Sequence, residues 1–335
     1  MRQCLALVIL FFTFSAWADQ LIIEPEMGRE PILAAMNSAQ HSIDLVMYGF
    51  TDKTLLNALL QKHRQGKTVR VILEKSPYKA ESENTKTIAE FQANHLTWQG
   101  EISPFKLIHQ KTLLIDNEKA LVMTFNFTHG TFKNQRNFAL LLEDAKQVHA
   151  IKSLFSADWN HTPYVNQAED LILSPDNSRE QINHLISQAK QSICIYAQNI
   201  NDYKIVGALA KAAKKGVKVQ IITSGKLREN QTHYLHRAGV HVFYSKKFII
   251  HAKVIIIDDE LAVLGSINLT RHSLDDNREL SVITYNPKIV DQLIETFNQD
   301  KKVETRLYND DIRELLPDKR TMQRIIRQIS KFFHD

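Results

Sequence analysis

Ile32-Leu33-Ala34-Ala35-Met36-Asn37-Ser38-Ala39-Gln40-His41-Ser42-Ile43-Asp44-Leu45-Val46 returns 150 residues later as Ile182-Asn183-His184-Leu185-Ile186-Ser187-Gln188-Ala189-Lys190-Gln191-Ser192-Ile193-Cys194-Ile195-Tyr196. Beyond this block Asp52, Ala58, Leu59, Gly66 and Val69 recur at the same offset as Asp202, Ala208, Leu209, Gly216 and Val219. Each copy reads helix, strand, helix, strand; in the first these are residues 32–40, 42–48, 53–65 and 69–74. Gly66 and Gly216 suit helix C-caps ahead of the next strand. Such alternation predicts parallel α/β packing with helices on the sheet faces. Similarity resumes at His109 and His251, now 142 residues apart, so the first copy carries eight extra residues, expected within 76–86. The period is far too long for a solenoid, and the chain reads as a tandem pair of domains. The expected division is a signal segment at 1–18, a first domain at 19–161, a linker at 162–175, a second domain at 176–304 and a basic helical tail at 305–335.

Composition fits a globular protein, with 44 % hydrophobic and 24 % charged residues among 335, and rules out a disordered or collagen-like chain. The net charge of +5 favours anionic partners without separating nucleic acid from phospholipid. Arg2, the apolar run 4–14 and Ala16-Trp17-Ala18 read as a cleavable export signal, too short to span a bilayer. The mature protein is therefore expected to be soluble, monomeric and periplasmic or secreted. Only Cys194 remains after cleavage, so no internal disulfide can form. Its alternating apolar context makes it a strand residue rather than a nucleophile.

Each half carries His-x-Lys-x4-Asp: His109-Gln110-Lys111 with Asp116, and His251-Ala252-Lys253 with Asp258. After six intervening residues each Asp is followed by a second polar signature, Met123-Thr124-Phe125-Asn126 in the first half and Gly265-Ser266-Ile267-Asn268 in the second. His and Lys two apart on a strand face the same way, as do Thr124 and Asn126, or Ser266 and Asn268. One such match is weak; two inside a duplicated domain are not. The set suits a phosphodiester: Lys111 and Lys253 can neutralise the charge on phosphorus without a metal or other cofactor. One imidazole can attack phosphorus and the other protonate the leaving oxygen. Thr124, Asn126, Ser266 and Asn268 are the expected phosphate contacts. Asp116 and Asp258 lie at turns, where their expected work is structural.

These paired motifs closely resemble the HKD signature of the phospholipase D superfamily in its compact two-motif form, over residues 21–304. The resemblance implies two similar α/β/α sandwich domains related by a pseudo-twofold axis, one shared site, a phosphohistidine intermediate and no metal. The second copy matches the family pattern fully, including Glu279, the usual position of a carboxylate that orients the motif histidine. The first has Met123-Thr124 for Gly-Ser, and Asn137 where the repeat puts Glu279. On this reading Glu279 should hold His251 protonated as the acid, and His109, facing Asn137, should stay neutral as the nucleophile.

Phe132, Lys133, Arg136, Arg271 and Arg278 fall in expected rim loops, where they contact substrate or only solvent. His233, His236 and His241 sit in an ordinary amphipathic helical pattern, without the carboxylate spacing of a metal site. Residues 318–333 form a basic amphipathic pattern, either packed on the domain or lying on an anionic membrane. Of three surviving functions, a phospholipase D-type lipid hydrolase is favoured over an exported nuclease and over a binding module. A phosphatidyltransferase of the cardiolipin synthase type differs from the hydrolase only in its acceptor.

Overall fold

A computed structural model describes residues 19–302, apart from positions 226 and 228, together with the strand at 305–307. The export segment 1–18 and the amphipathic stretch 318–333 lie outside the described residues. The first half runs β1 (Gln20–Glu24), α1 (Glu30–Ser38), β2 (Ser42–Met47), α2 (Lys53–Arg64), β3 (Thr68–Leu73), α3 (Thr85–Ala93), β4 (Thr97–Gln99), β5 (Thr112–Ile115), β6 (Lys119–Met123), β7 (Gln135–Leu142) and α4 (Ala145–Trp159). The second runs β8 (Leu171–Ser174), α5 (Ser178–Gln188), β9 (Ser192–Ala197), α6 (Tyr203–Lys214), β10 (Lys218–Thr223), α7 (Glu229–Arg237), β11 (His241–Ser245), β12 (Ile249–Ile250), β13 (Lys253–Ile257), β14 (Leu261–Gly265), α8 (Arg271–Asp275), β15 (Glu279–Thr284), α9 (Pro287–Lys302) and β16 (Thr305–Leu307). Strand β8 falls inside the span expected to be a linker, and pairs with β15 at the sheet edge. Among the described residues no helix is long and apolar enough to cross a membrane.

The repeat is repeated in space. The first sheet is ordered β4-β3-β2-β5-β6-β7-β1, and the second β11-β10-β9-β13-β14-β15-β8, with β16 outside β11. Among the described strands, parallel pairing runs through β2-β3-β4 and β9-β10-β11 and joins β12 to β7. The motif strands β5 to β7 and β13 to β15 are antiparallel, because each Asp opens a tight hairpin. Asp116 and Asn117, like Asp258 and Asp259, take φ of 53° to 59°, the left-handed backbone of a hairpin turn, which Asp and Asn tolerate.

Alternation along the strands splits the core into layers. Leu45, Leu113 and Ala139 face the helices of the first half, while Val46, Leu114, Phe138 and Leu140 face the other sheet. There they meet Tyr196, Val254, Ile256, Leu264 and Val282 of the second sheet, with α4 and α9 contributing Phe155 and Phe297. The two sheets thus share one inner core, and each has an outer one. Helix starts repeat too: Asp52 caps α2 through Thr54 N and Leu55 N, and Asp202 caps α6 through Lys204 N and Ile205 N. At the far ends Gly66 and Gly216 have φ of 78° and 96°, which glycine adopts at no steric cost. The extra residues of the first half fall mainly between β3 and α3, a span of 11 residues against 5 between β10 and α7.

Candidate active site

Asp116 accepts from the backbone N–H groups of Gln40, His41 and Ser42 at 2.7 Å each. Asp258 accepts from Lys190, Gln191 and Ser192 at 2.7, 2.7 and 2.8 Å. Burial pushes both carboxyls up, but the three donors hold each below the usual range. Each Asp ties its hairpin turn to the start of the neighbouring strand. Both stand at the strand end away from His and Lys.

The histidines lie just before β5 and β13, where each half reaches into the other. His109 N and Gln110 N donate to Arg278 O at 3.0 Å, and Ile108 bridges Arg278. In mirror fashion β12 pairs with β7, and Ala252 N donates to Arg136 O at 3.0 Å. Each motif histidine therefore sits beside the residue that follows that arginine in the opposite half. His109 Nδ1 faces Glu279 Oε2 at 2.7 Å, and His251 Nδ1 faces Asn137 Oδ1 at 3.0 Å. This reverses the expected pairing: the carboxylate serves His109 and the amide serves His251. Matched by sequence position, Glu279 falls to the histidine of its own half; the crossed strands give it to the other.

Glu279 is fully buried, and its second oxygen accepts from Ser273 Oγ at 2.5 Å. Burial raises its pKa, but His109, Lys111 and Ser273 bring it below the ordinary carboxylate value. Burial drives His109 down to about 4, with Lys111 and Lys253 pushing the same way against the pull of Glu279. His109 is thus neutral at pH 7, donates Nδ1–H to Glu279 and keeps a lone pair on Nε2. His251 lies well below its ordinary value, through burial first and then Lys253, Lys111 and His109.

Lys111 is 1 % exposed, bonds to His109 O and lies 5.1 Å from the Tyr48 ring centroid. Burial lowers its pKa to about 7. Lys253, also buried, donates to Gln198 Oε1 at 2.7 Å, and burial with Lys111 nearby holds it well below the ordinary lysine value. Tyr48 packs edge-on against His109 with ring centroids 4.8 Å apart, a contact the sequence pattern did not flag.

The hydroxyls depart from expectation. Thr124 is fully buried; its hydroxyl donates to Asn137 Oδ1 at 2.9 Å and accepts from Phe138 N at 2.9 Å. Ser266 is equally buried and is engaged by Leu280 N and O. Neither is presented to a ligand; they brace the strands that carry Asn137 and Glu279. Asn126 and Asn268 stay half-buried, Asn126 accepting from Gly49 N at 3.3 Å. A Cβ at Gly265 would lie 2.3 Å from Leu280 O, so this strand approach admits only glycine. Its counterpart Met123 packs into the outer core of the first half.

Arg136 and Arg278 are not rim residues. Arg136 Nε donates to Asp300 Oδ2 at 2.7 Å, and Arg278 donates to Asp158 Oδ1 at 2.8 Å. Both arginines are at most 3 % exposed and clamp the halves together. Phe132 packs on Phe125 and lies under Arg29, whereas Lys133 and Arg271 are exposed. Cys194 is half-buried on β9, its thiol pushed up to about 11 by burial. His233 and His236 lie on α7 and His241 on β11.

A family model described as "Cardiolipin synthase, PLD-like domain" matches the chain twice, over residues 32–159 and 182–301. The major cardiolipin synthase ClsA of Bacillus subtilis (strain 168) is 27 % identical over 317 residues, or 80 % of this chain and 66 % of that protein. The chain thus spans about two thirds of the length of this curated relative. The crystal structure of phosphatidylserine synthase from Haemophilus influenzae Rd KW20 superposes with a TM-score of 0.69 at 11 % identity, covering 94 % of this chain and 93 % of that one. That of polyphosphate kinase from Porphyromonas gingivalis gives 0.72 at 18 % identity, covering 86 % of this chain and 48 % of the other. At such identities the two structures speak to fold alone.

Proposed function

The chain belongs to the phospholipase D superfamily, through two PLD-like domains of the cardiolipin synthase family, and on that premise we propose that it is a phosphatidyltransferase. The observation that carries this reading is the contact of His109 Nδ1 with buried Glu279 at 2.7 Å, beside a second imidazole and two buried lysines, in a chain whose halves both match the cardiolipin synthase family model. The Nε2 lone pair of His109 attacks phosphorus as the bond to the headgroup oxygen breaks. His251, protonated on Nε2, passes that proton to the departing alkoxide. A phosphatidyl group is left on His109. An acceptor alcohol then gives its proton to His251 and attacks phosphorus, which frees His109. Lys111 and Lys253 offset the charge that builds on the phosphoryl oxygens, and the half-buried amides of Asn126 and Asn268 are the groups that contact them.

Hydrolysis is the same sequence with water as acceptor. Likeness to cardiolipin synthases over both halves favours an alcohol, so the hydrolase expectation yields to transfer. The test is product analysis with phosphatidylglycerol vesicles. Transfer yields cardiolipin and glycerol, whereas phosphatidic acid as the main product would return the reading to hydrolysis. Cleavage of single- or double-stranded DNA with inert vesicles would replace both by a nuclease. Export through residues 1–18 is part of the proposal, and is checked by the N-terminus of protein recovered from the periplasm or medium.

A further inference from the structure

Two turns flank the mouth of the site, one from each half. Ala80 N donates to Pro77 O at 2.9 Å, closing a β-turn with Tyr78 and Lys79 at its tip. Lys79 takes φ of 61°, a left-handed backbone that suits glycine better than lysine, so its side chain is one the turn itself does not need. Its ammonium lies 5.2 Å from the Tyr78 ring centroid. Tyr78 N donates to Tyr48 Oη at 2.7 Å, and Tyr48 packs on His109, so this tip stands beside the first histidine. On the other side Phe248 N donates to Ser245 Oγ at 3.1 Å, with Lys246 and Lys247 at the tip. Ile249 follows, two residues and at most about 7 Å of chain ahead of His251. Its N–H donates to Asn134 O at 3.0 Å, which brings Lys133 alongside.

What these tips present is apolar and cationic together. Tyr78 is 69 % exposed and Ile249 52 %, while Ile250, Ala252 and Val254 enter the core shared by the sheets. Lys79, Lys133, Lys246 and Lys247 are exposed. Glu81 offsets Lys79 on the first turn, whereas Glu26, the carboxylate near Lys247, is already bonded to Arg136. The second tip is thus the net positive one. The opposite end of the molecule supplies a contrast. There Val165 and Tyr285 are exposed too, in a recess whose lining holds four carboxylates, Asp144 and Asp170 among them, and one lysine. Exposed apolar groups occur at both ends, but their company is cationic at the site end and acidic at the far one.

We propose that these two turns, with Ile249, are a docking surface for an anionic phospholipid bilayer. Tyr78 and Ile249 enter the headgroup layer, and Lys79, Lys133, Lys246 and Lys247 lie against lipid phosphates. Because the tips flank the two histidines, a docked chain holds its site against the membrane and takes a phosphatidyl donor without extracting it. The choice of lipid as partner rests on the function proposed above.

The test is flotation of the full chain with vesicles of phosphatidylglycerol and phosphatidylcholine in equal parts, against vesicles of phosphatidylcholine alone. The mixed vesicles should bind the chain, less tightly as salt rises, and the neutral ones should bind it weakly. Lys246→Ser with Lys247→Ser should weaken binding to the mixed vesicles about 30-fold. Ile249→Trp should bind at least as tightly as the wild type and show blue-shifted tryptophan emission on those vesicles. These side chains are exposed, and an unchanged thermal midpoint checks that each variant is folded. Unweakened binding of the lysine variant, unmoved emission of the Trp variant, or a chain that binds a DNA duplex and no vesicle overturns the proposal. A chain that docks as expected yet transfers no phosphatidyl group would overturn the proposed function and leave the surface standing. Transfer by a lysine variant that binds as well as the wild type would do the reverse.

Discussion

His109 and His251 occupy equivalent positions in two copies of one domain, yet a buried carboxylate backs the first and a carboxamide the second. The contrast matches two different tasks. A nucleophile needs one tautomer, held still, with its lone pair facing the phosphorus, and Glu279 fixes all of that. An acid needs a proton, which the amide does little to retain. Burial and the nearby lysines hold both rings below the ordinary histidine range, so under the proposed mechanism His251 takes up its charge when an anionic phosphodiester binds. The proposed mechanism thereby couples binding to proton uptake at one of the two histidines and not at the other.

The harshest test of this contrast is His109→Ala, which should lower turnover by roughly 10⁴-fold or more and abolish the acid-labile phosphorylated enzyme seen with labelled donor. His251→Ala should be comparably damaged with lipid, but partly rescued by a nitrophenyl phosphodiester, whose leaving group needs no acid. Equal rescue of both variants would erase the division of labour. Next is Glu279→Gln, which loses control of the tautomer and should cost about 10³-fold in kcat, against about tenfold for Asn137→Ala. Similar losses would mean that the two partners are equivalent after all.

The interface offers a comparison of its own. Arg278→Met strands the carboxylate of Asp158, 3 % exposed, and should cost about 3 to 5 kcal/mol in the denaturant midpoint. Arg136→Met should cost less, since Glu26 is half exposed and the Tyr196 hydroxyl still donates to Asp300 at 2.6 Å. A smaller effect is expected of Asn137→Asp. A carboxylate favours imidazolium, so the folded-state pKa of His251 rises and the acid stays protonated to higher pH. The basic limb of kcat/KM should move up by about one pH unit, and an unmoved limb would deny the contact between residues 137 and 251. EDTA should change nothing, because Lys111 and Lys253 hold the places a cation would take; loss restored by a divalent ion would refute that.

The duplication, the α/β character and both HKD motifs could be read directly, because each left a local pattern at a fixed offset. Pairing across the halves could not. Glu279 and Asn137 share one address within their repeats, and nothing along the chain tells which histidine either will meet. That depends on β12 joining the first sheet beside β7 and on residue 108 bridging residue 278. The arginine clamps left a trace that went unread. Arg136 and Arg278 recur 142 residues apart, as do Asp158 and Asp300, an invariant charge pair within the duplication. Read without tertiary contacts, an arginine in a loop near a phosphate site looks like a ligand. The hydroxyls of Thr124 and Ser266 misled for a similar reason, since period-two alternation fails where β6 and β14 end and the chain bends.

Crossing has a consequence for how such a protein can specialise. Were one half to assemble with an identical copy, both imidazoles would have the same partner, and any change at that position would strike nucleophile and acid together. Joining the copies in one polypeptide gives each imidazole a separately editable neighbour. The difference between positions 137 and 279 is of the kind only a fused chain can hold, and a half cut away from its twin would lose the group its own histidine leans on.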